Sequence, residues 1–294
     1  MKPLIIVNIT PDSFSDGGFF FGADKFKNYV SNLVDQGFDF FDIGAQSTAP
    51  NRVPINYVQE LKRFEMVFFE ALKDSSFTGK IKNCCFSIDT FRPSTFIRVI
   101  EELLKYGFSP EKIVWNDVSG VLDDEVFEIL NEYRCKYVFC HSELKQREST
   151  PDHYLQTSPL KGREYLKSIK DYFDIAKSRF EEHGVLKQVI FDPCFGFSKD
   201  NNHNLIIVNG INDIFSSDVP VLIGVSKKRF VKNIAESVNS SCIDQTLEMV
   251  HLSILTRILA SSVDSMQFIL RVHDTQVPKI IKEIFPKEEL SFQM

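Results

Sequence analysis

With 294 residues, 43% of them hydrophobic and 25% charged, the chain carries enough apolar material for one large core, which excludes intrinsic disorder as the default reading. A formal net charge of −6 argues against a protein that grips nucleic acid by neutralising phosphates and leaves room only for a local basic pocket. The six cysteines (Cys84, Cys85, Cys135, Cys140, Cys194, Cys242) include no C-x-x-C pair and no zinc-finger spacing, and no apolar run reaches the length of a signal-peptide core or membrane span; a cytoplasmic protein with reduced thiols is expected.

In chain order, LIIVNI from Leu4 reads as a strand ending at Asn8 and opening into TPDSFSDGG, Thr10 to Gly18, where Pro11 restricts the backbone and Gly17 and Gly18 free it. Phe26, Tyr29, Val30, Leu33 and Val34 then repeat at the spacing of one helix face. FDFFDIG from Phe38 is a second strand, carrying Asp42, and Val58, Leu61, Met66 and Phe69 suit the helix after it. CCFSID from Cys84 ends in Asp89, and Phe96, Val99, Ile100, Leu103 and Leu104 mark another crossover helix. KIVWNDV from Lys112 brings Asn116 and Asp117, and KYVFCH from Lys136 brings His141 before the polar stretch Ser142 to Arg163. QVIFDP from Gln188 ends at Asp192 ahead of a second polar stretch, Lys199 to Asn204. PVLIGVS from Pro220 delivers Ser226, and MQFILRVHD from Met266 delivers Arg271 and His273.

Eight strand-helix units with doubly apolar strands predict an α/β fold, a single (β/α)8 TIM barrel over residues 1–294. A doubly wound open sheet is the alternative, but neither G-x-G-x-x-G nor G-x-x-x-x-G-K-[ST] follows any strand. In a parallel barrel the carboxyl ends of the strands converge, so the polar residues at those ends would line one pocket. Taken singly, Asp89 before Phe91-Arg92-Pro93 has even odds of being only a helix cap, and a lone histidine is more often structural than catalytic. Taken together, Asp89, Asn116 and Asp192 could hold a polar heterocycle through its amino edge, and Ser226, Lys227, Lys228, Arg271 and His273 offer donors for a phosphate or pyrophosphate.

Those segments resemble the dihydropteroate synthases of the pterin-binding enzyme family, along the chain from the first strand to the last. IVNITPDSFSDGG is the most specific match, followed in order by FDFFDIGAQST, SIDTF, NDVSG, FDPCFGFSKDNNHNL, GVSKKRF and RVHD. The resemblance implies the condensation of 6-hydroxymethyl-7,8-dihydropterin pyrophosphate with 4-aminobenzoate, with Mg2+, giving 7,8-dihydropteroate and pyrophosphate in folate biosynthesis. By position it implies that Asp89, Asn116 and Asp192 bind the pterin, with Lys228 donating to its carbonyl side, Phe197 packing on the substrate and Gly224 allowing close approach. Asn8 would hold the metal on the pyrophosphate, Arg271 and His273 would take phosphate oxygens, and Ser226 and Thr48 would face the aminobenzoate. Asn8, Asp89, Lys228, Arg271 and His273 form the expected catalytic set. The resemblance further implies small-molecule substrates without nucleic acid or membrane partners, a homodimer and a sulfonamide target; from the position of the last helix, near Phe285, no room for a fused pterin kinase is expected.

The chain departs from the family pattern at several places. The family's G-G-E-S-T-R-P is Gly44-Ala45-Gln46-Ser47-Thr48-Ala49-Pro50 here, so a loop arginine is lost at Ala49 and a carboxylate at Gln46. Arg52 is a candidate substitute for the missing cation; unchanged turnover and substrate affinity in Arg52→Ala would rule that out. Lys227 stands where Arg is usual, Cys194 where Gly follows Asp-Pro, and Phe139-Cys140-His141-Ser142 where a Met-rich run is common. Altered handling of aminobenzoate and sulfonamides is the expected consequence. A pterin-binding paralogue impaired in catalysis and a pterin-dependent methyltransferase are the competing functions, and the basic groups around Ser226 and Arg271 favour a pyrophosphate substrate over methyl transfer.

Overall fold

The computed structural model describes residues 1–10, 22–46, 54–238, 242–261 and 265–286. Strands β1 (Lys2–Ile6), β2 (Phe40–Gly44), β3 (Cys85–Asp89), β4 (Ile113–Asp117), β5 (Lys136–Cys140), β6 (Val189–Asp192), β7 (Val221–Ile223) and β8 (Phe268–Val272) pair in parallel, in sequence order, and close on themselves through β8 and β1. The expected (β/α)8 barrel is therefore present, with β2 to β8 inside the segments read from the sequence and β1 starting two residues before its segment, at Lys2. Around it run α1 (Ala23–Asp35), α2 (Tyr57–Phe64), α3 (Glu70–Leu72), α4 (Ser75–Lys80), α5 (Pro93–Lys105), α6 (Asp124–Tyr133), α7 (Gly162–Glu182), α8 (Asn201–Asn209), α9 (Ile211–Ile214), α10 (Arg229–Val238), α11 (Ile243–Ser261) and α12 (Gln276–Ile284).

Period-two alternation sorts every strand into an outward and an inward set. Outward residues such as Phe41, Phe86, Trp115, Tyr137, Phe139 and Phe191 meet the helices in one continuous core. Aromatic rings fill much of that layer: Phe68 lies 5.5 Å from Phe26 and 5.5 Å from Phe86, and Trp115 stacks on Phe96 at 5.2 Å. The 28 phenylalanines are thus largely packing material. Inward, one apolar residue from each strand (Leu4, Phe40, Cys85, Val114, Val138, Ile190, Leu222, Ile269) forms a separate buried plug across the barrel.

One helical stretch differs from the expected phase. Val58 and Met66 are exposed, whereas Glu60, Phe64, Val67, Phe68, Ala71 and Leu72 are buried. A π-helical turn at Glu65–Phe69 inserts a residue between α2 and α3 and shifts the buried face, so a fixed 3.6-residue reading misses it. The Ser142–Arg163 stretch contains a 3-10 segment, Arg147–Leu155, locked onto the end of β4. Arg147 donates to Asp117 and Asp123, to Ser119 Oγ (3.0 Å) and to the Val121 carbonyl (3.0 Å), and lies over Trp115 at 5.3 Å.

Candidate active site

Two residues beyond the apolar plug, roughly 7 Å further along each strand, the same inward face carries Ile6, Asp42, Ser87, Asn116, Cys140, Asp192, Gly224 and Arg271. The barrel interior thus changes from hydrocarbon to hydrogen-bonding groups within one layer. Alternation also decides which strand-end residues face that layer. Asp117 points outward, where Tyr137 Oη donates to it at 2.9 Å. His141 points outward too, packed against Tyr172 and Phe173 of α7, where burial and Lys199 hold its imidazole neutral, well below the usual histidine range. Neither joins the mouth, and the structural reading of His141 holds.

Asp42, which the sequence offers only as a strand-end residue without an assigned role, is the hub of the inward set. Its carboxylate accepts from Ser87 Oγ at 2.5 Å, from Asn116 Nδ2 at 3.0 Å and from Arg271 Nε at 2.7 Å. Arg271 Nη2 reaches both Asp42 (2.5 Å) and Asp89 (2.6 Å), so the guanidinium is tied to two carboxylates across the mouth rather than standing free for an anion. A signal was available, since Asp42 ends the inward alternation Phe40, Asp42 as Asp89 ends Cys85, Ser87, Asp89. Burial pushes the Asp89 carboxyl up to about 7, with Asp42 adding to the rise and Arg271 opposing it. Burial likewise pushes Asp192 up to about 6, against the pull of the Cys194 amide, which donates to Asp192 Oδ1 at 2.6 Å, and of Lys228.

Lys228 sits beside these acids, its ammonium 4.6 Å from the centre of the Phe197 ring. Burial first, then Arg271, lowers its pKa, while Asp192 and Asp89 oppose the fall. Phe197 also carries the ring of His153, stacked at 3.7 Å, from the 3-10 segment. Gly196 (φ +81°) is required beneath this pair, because a Cβ there would stand 3.2 Å from Lys228 Cδ. Cys194 (φ +55°) and Lys227 (φ +58°) occupy the left-handed region that glycine favours, which gives the Gly-to-Cys departure a physical mark.

Across the mouth, the Ser226 hydroxyl lies 3.1 Å from His273 Nδ1. Burial together with Arg271, Lys227 and Lys228 drives His273 down to about 3, so it is a neutral hydrogen-bonding group in this state rather than a cation. At Gly224 a Cβ would make only ordinary contact, 3.8 Å from Arg271 Cδ, so the protein itself leaves that space open. Asn8 follows β1, and a Cβ on Gly44 would stand 3.0 Å from its Oδ1 and 3.4 Å from Asp89 Oδ2; both oxygens border one gap. Thr48, Ala49, Arg52 and Pro11 to Gly18 lie outside the described residues.

Beyond the mouth, the structure has a cavity of about 650 Å³ between the starts of α7 and α8. A smaller one of about 330 Å³ touches Gly196, Lys199 and Arg229 beside the Lys228 and Phe197 pair. The larger hollow presents none of the inward residues, so the strand-end layer is the candidate site.

Fold and mouth define an α/β-barrel enzyme with a buried acidic recognition layer beside cationic groups. A family model described as pterin binding enzyme matches residues 4–273. A dihydropteroate synthase type-3 from Escherichia coli is 31% identical over 233 residues, covering 78% of this chain and 80% of that protein. A dihydropteroate synthase from Anaplasma phagocytophilum, solved with bound 6-hydroxymethylpterin-monophosphate, is 26% identical with a TM-score of 0.68 over 96% of this chain and 97% of its own. The Xanthomonas albilineans enzyme solved with 4-aminobenzoic acid shares the fold, with a TM-score of 0.73 at 22% identity over 97% of this chain and 92% of its own. The chain belongs to the pterin-binding enzymes and, within them, to the dihydropteroate synthase family.

Proposed function

We propose that the mouth condenses 6-hydroxymethyl-7,8-dihydropterin pyrophosphate with 4-aminobenzoate to form 7,8-dihydropteroate, as one catalytic unit over residues 1–294. The observation that carries this is the inward layer itself: buried Asn116 and Asp192, with the partly exposed Asp89 and Lys228 beside them, match the donors and acceptors of an aminopyrimidinone edge. The ionised Asp192 accepts two N–H bonds from the ring, Lys228 donates to the ring carbonyl, and the Phe197 and Lys228 pair borders the reacting methylene. Pyrophosphate departs first, leaving the exocyclic methylene as a cation conjugated with the pterin, and the aromatic amine then attacks it.

The anion is received by Lys228 and His273, with Arg271, tied to Asp42 and Asp89, offering only the N–H groups those carboxylates leave open. His273 is neutral in the free protein, so it donates from its imidazole N–H and gains a proton only as negative charge arrives. Asn8 suits Mg2+, because one amide oxygen plus substrate phosphate oxygens is the hard-donor set that ion accepts, and no cluster of three or more His, Cys, Asp or Glu stands ready among the described residues to hold a metal alone. Bound there, the metal would neutralise charge on the leaving pyrophosphate. Thr48 and Ser226 face the aminobenzoate in this reading, and Gly224 leaves room for the pterin plane. A homodimer in the cytoplasm belongs to the same proposal. Exposed Met249 on α11 with Ile280 and Ile284 on α12 supports the dimer, which light scattering on a sizing column tests. Loss of the loop arginine at Ala49 supports weakened sulfonamide inhibition; ordinary inhibition constants would count against it.

Asp192→Asn tests the pterin assignment. Two charge-assisted hydrogen bonds are worth about 3 kcal/mol together, so kcat/KM for the pterin substrate should fall roughly a hundredfold while KM for 4-aminobenzoate stays nearly constant. An unchanged kcat/KM would remove Asp192 from the pterin site.

A further inference from the structure

Two thiols meet beside the acidic layer. On β5, Tyr137 and Phe139 face the helices and Val138 belongs to the plug, so Cys140 continues the inward set one step above Val138. It pairs in register with Asp192 of β6. Just past Asp192 the chain turns: the Cys194 amide donates to Asp192 Oδ1 at 2.6 Å, and the Phe197 amide donates to the Cys194 carbonyl at 3.2 Å. The turn packs the Cys194 side chain with Cys140, Phe91, Val118 and Phe197 in one small cluster, thiol beside thiol. Both cysteines are free.

The two sulfurs have unlike surroundings. Cys140 is fully buried, its carbonyl accepts from Tyr172 Oη at 3.1 Å, and burial, then Cys194, pushes its thiol well above the ordinary cysteine range. Cys194 holds a side chain at φ +55° and stands beside the ammonium groups of Lys228 and Lys199. Both cations are fixed around its turn: Lys199 Nζ donates to the Phe197 carbonyl at 2.9 Å and the His141 carbonyl at 3.2 Å, and Lys228 Nζ lies 4.6 Å from the Phe197 ring centre. Negative charge forming on the Cys194 sulfur during an attack would meet two cations. Cys194 is thus suited to attack and Cys140 to resolve.

We propose that Cys140 and Cys194 form a redox pair, which a peroxide oxidises to an intramolecular disulfide that reversibly disables the pterin pocket; the loss of activity rests on the function proposed above, whereas the disulfide does not. The Cys194 thiolate attacks one oxygen of hydrogen peroxide, the O–O bond breaks, and the departing hydroxide takes up a proton as water, leaving a sulfenic acid on Cys194. Cys140 then displaces the sulfenic hydroxyl: the S–S bond forms, the S–O bond breaks, and the Cys140 proton leaves with that hydroxyl as a second water. Two thiols lose two electrons and two protons, and one peroxide gains them. Peroxide is far smaller than a pterin, so a path that brings a pterin to Asp192 also brings peroxide to the neighbouring Cys194. Sulfurs in contact are drawn to about 2.05 Å by the bond. That pulls the turn towards β5 and disturbs the amide on Asp192 and the Phe197 ring against which Lys228 rests.

The test treats the full chain with stoichiometric hydrogen peroxide and follows it by non-reducing peptide mass mapping and steady-state kinetics, each protein being compared with its own reduced form. Cys242, which is exposed, is replaced by Ser throughout to prevent links between chains. In this parent, the peptides of Cys140 and Cys194 should appear as one linked species lighter by two hydrogen atoms. Its kcat/KM for the pterin pyrophosphate should fall by about tenfold or more, and dithiothreitol should reverse both changes. Cys194→Gly, which suits the left-handed backbone, should give no linked species and keep its reduced kcat/KM after peroxide. Cys140→Ala should stop at a Cys194 sulfenic acid that dimedone traps. Unlinked Cys140 and Cys194 peptides in the treated parent overturn the inference, and so does a linked pair with kcat/KM unchanged. A reduced parent that forms no dihydropteroate would instead sink the proposed function, while the linked peptides still report the thiol pair.

Discussion

Two acids in one mouth, each above the ordinary carboxylate range, make protonation the first property to measure. Asp192 moves from the ordinary carboxylate range up to about 6 because its charged form loses water on burial. A folded pKa above the unfolded one means that its contribution to stability is complete below about 4 and is lost as pH rises through about 6. The unliganded protein should therefore lose stability between about pH 4 and pH 6, and Asp192→Asn should flatten that fall. Pterin N–H groups compensate the ionised carboxylate, so the rise in Tm on adding the pterin substrate should grow with pH over the same window. A ligand shift independent of pH, with the mutant equal to wild type, would contradict a pterin contact at Asp192. The main site residues were legible because each ends an apolar run. Asp42 was harder to place, since its guanidinium partner, Arg271, is 229 residues away in sequence and only barrel closure brings the two together.

Elements matter through the clamps that orient those residues. Arg147 inserts from the β5–α7 connection onto Asp117, which is fully buried, and no periodicity in the Ser142–Arg163 stretch marks that contact. Arg147→Met leaves the Asp117 charge uncompensated and should cost about 3–5 kcal/mol. Trp115, the chain's one tryptophan, lies beneath the guanidinium, so fluorescence reports the loss directly in a urea titration. An unfolding midpoint equal to wild type would show that the clamp is dispensable. At the end of α6, exposed Arg134 holds φ +57° as the C-cap. Arg134→Gly relieves that left-handed strain, partly offset by the entropy of the unfolded glycine, and should stabilise the protein by about 0.5–1 kcal/mol. A thermal melt with no increase would argue that the arginine makes compensating contacts. The sequence-derived phase failed between α2 and α3 for a related reason: a π turn adds one residue without changing composition.

At the scale of the whole molecule, the barrel is a stack of two unlike layers, a hydrocarbon plug and a hydrogen-bonded ring, separated by two residues on every strand. Phe40 is the largest plug residue and almost fully buried. Phe40→Ala should cost about 3–5 kcal/mol and disturb Asp42 directly above it, so stability and pterin affinity should fall together in denaturant titration and calorimetry. Independent behaviour of the two would show that the layers are not coupled. The order of strand-end residues made this architecture readable from the chain alone, whereas the departure at Gln46 acquires meaning only from its contact with Arg92.

The most direct test is product stoichiometry. Purified protein is incubated with 6-hydroxymethyl-7,8-dihydropterin pyrophosphate, Mg2+ and labelled 4-aminobenzoate, and dihydropteroate and pyrophosphate are quantified together. The account predicts equal amounts of the two over many turnovers. Tight pterin binding without labelled product would contradict it and leave the mouth as a binding site alone.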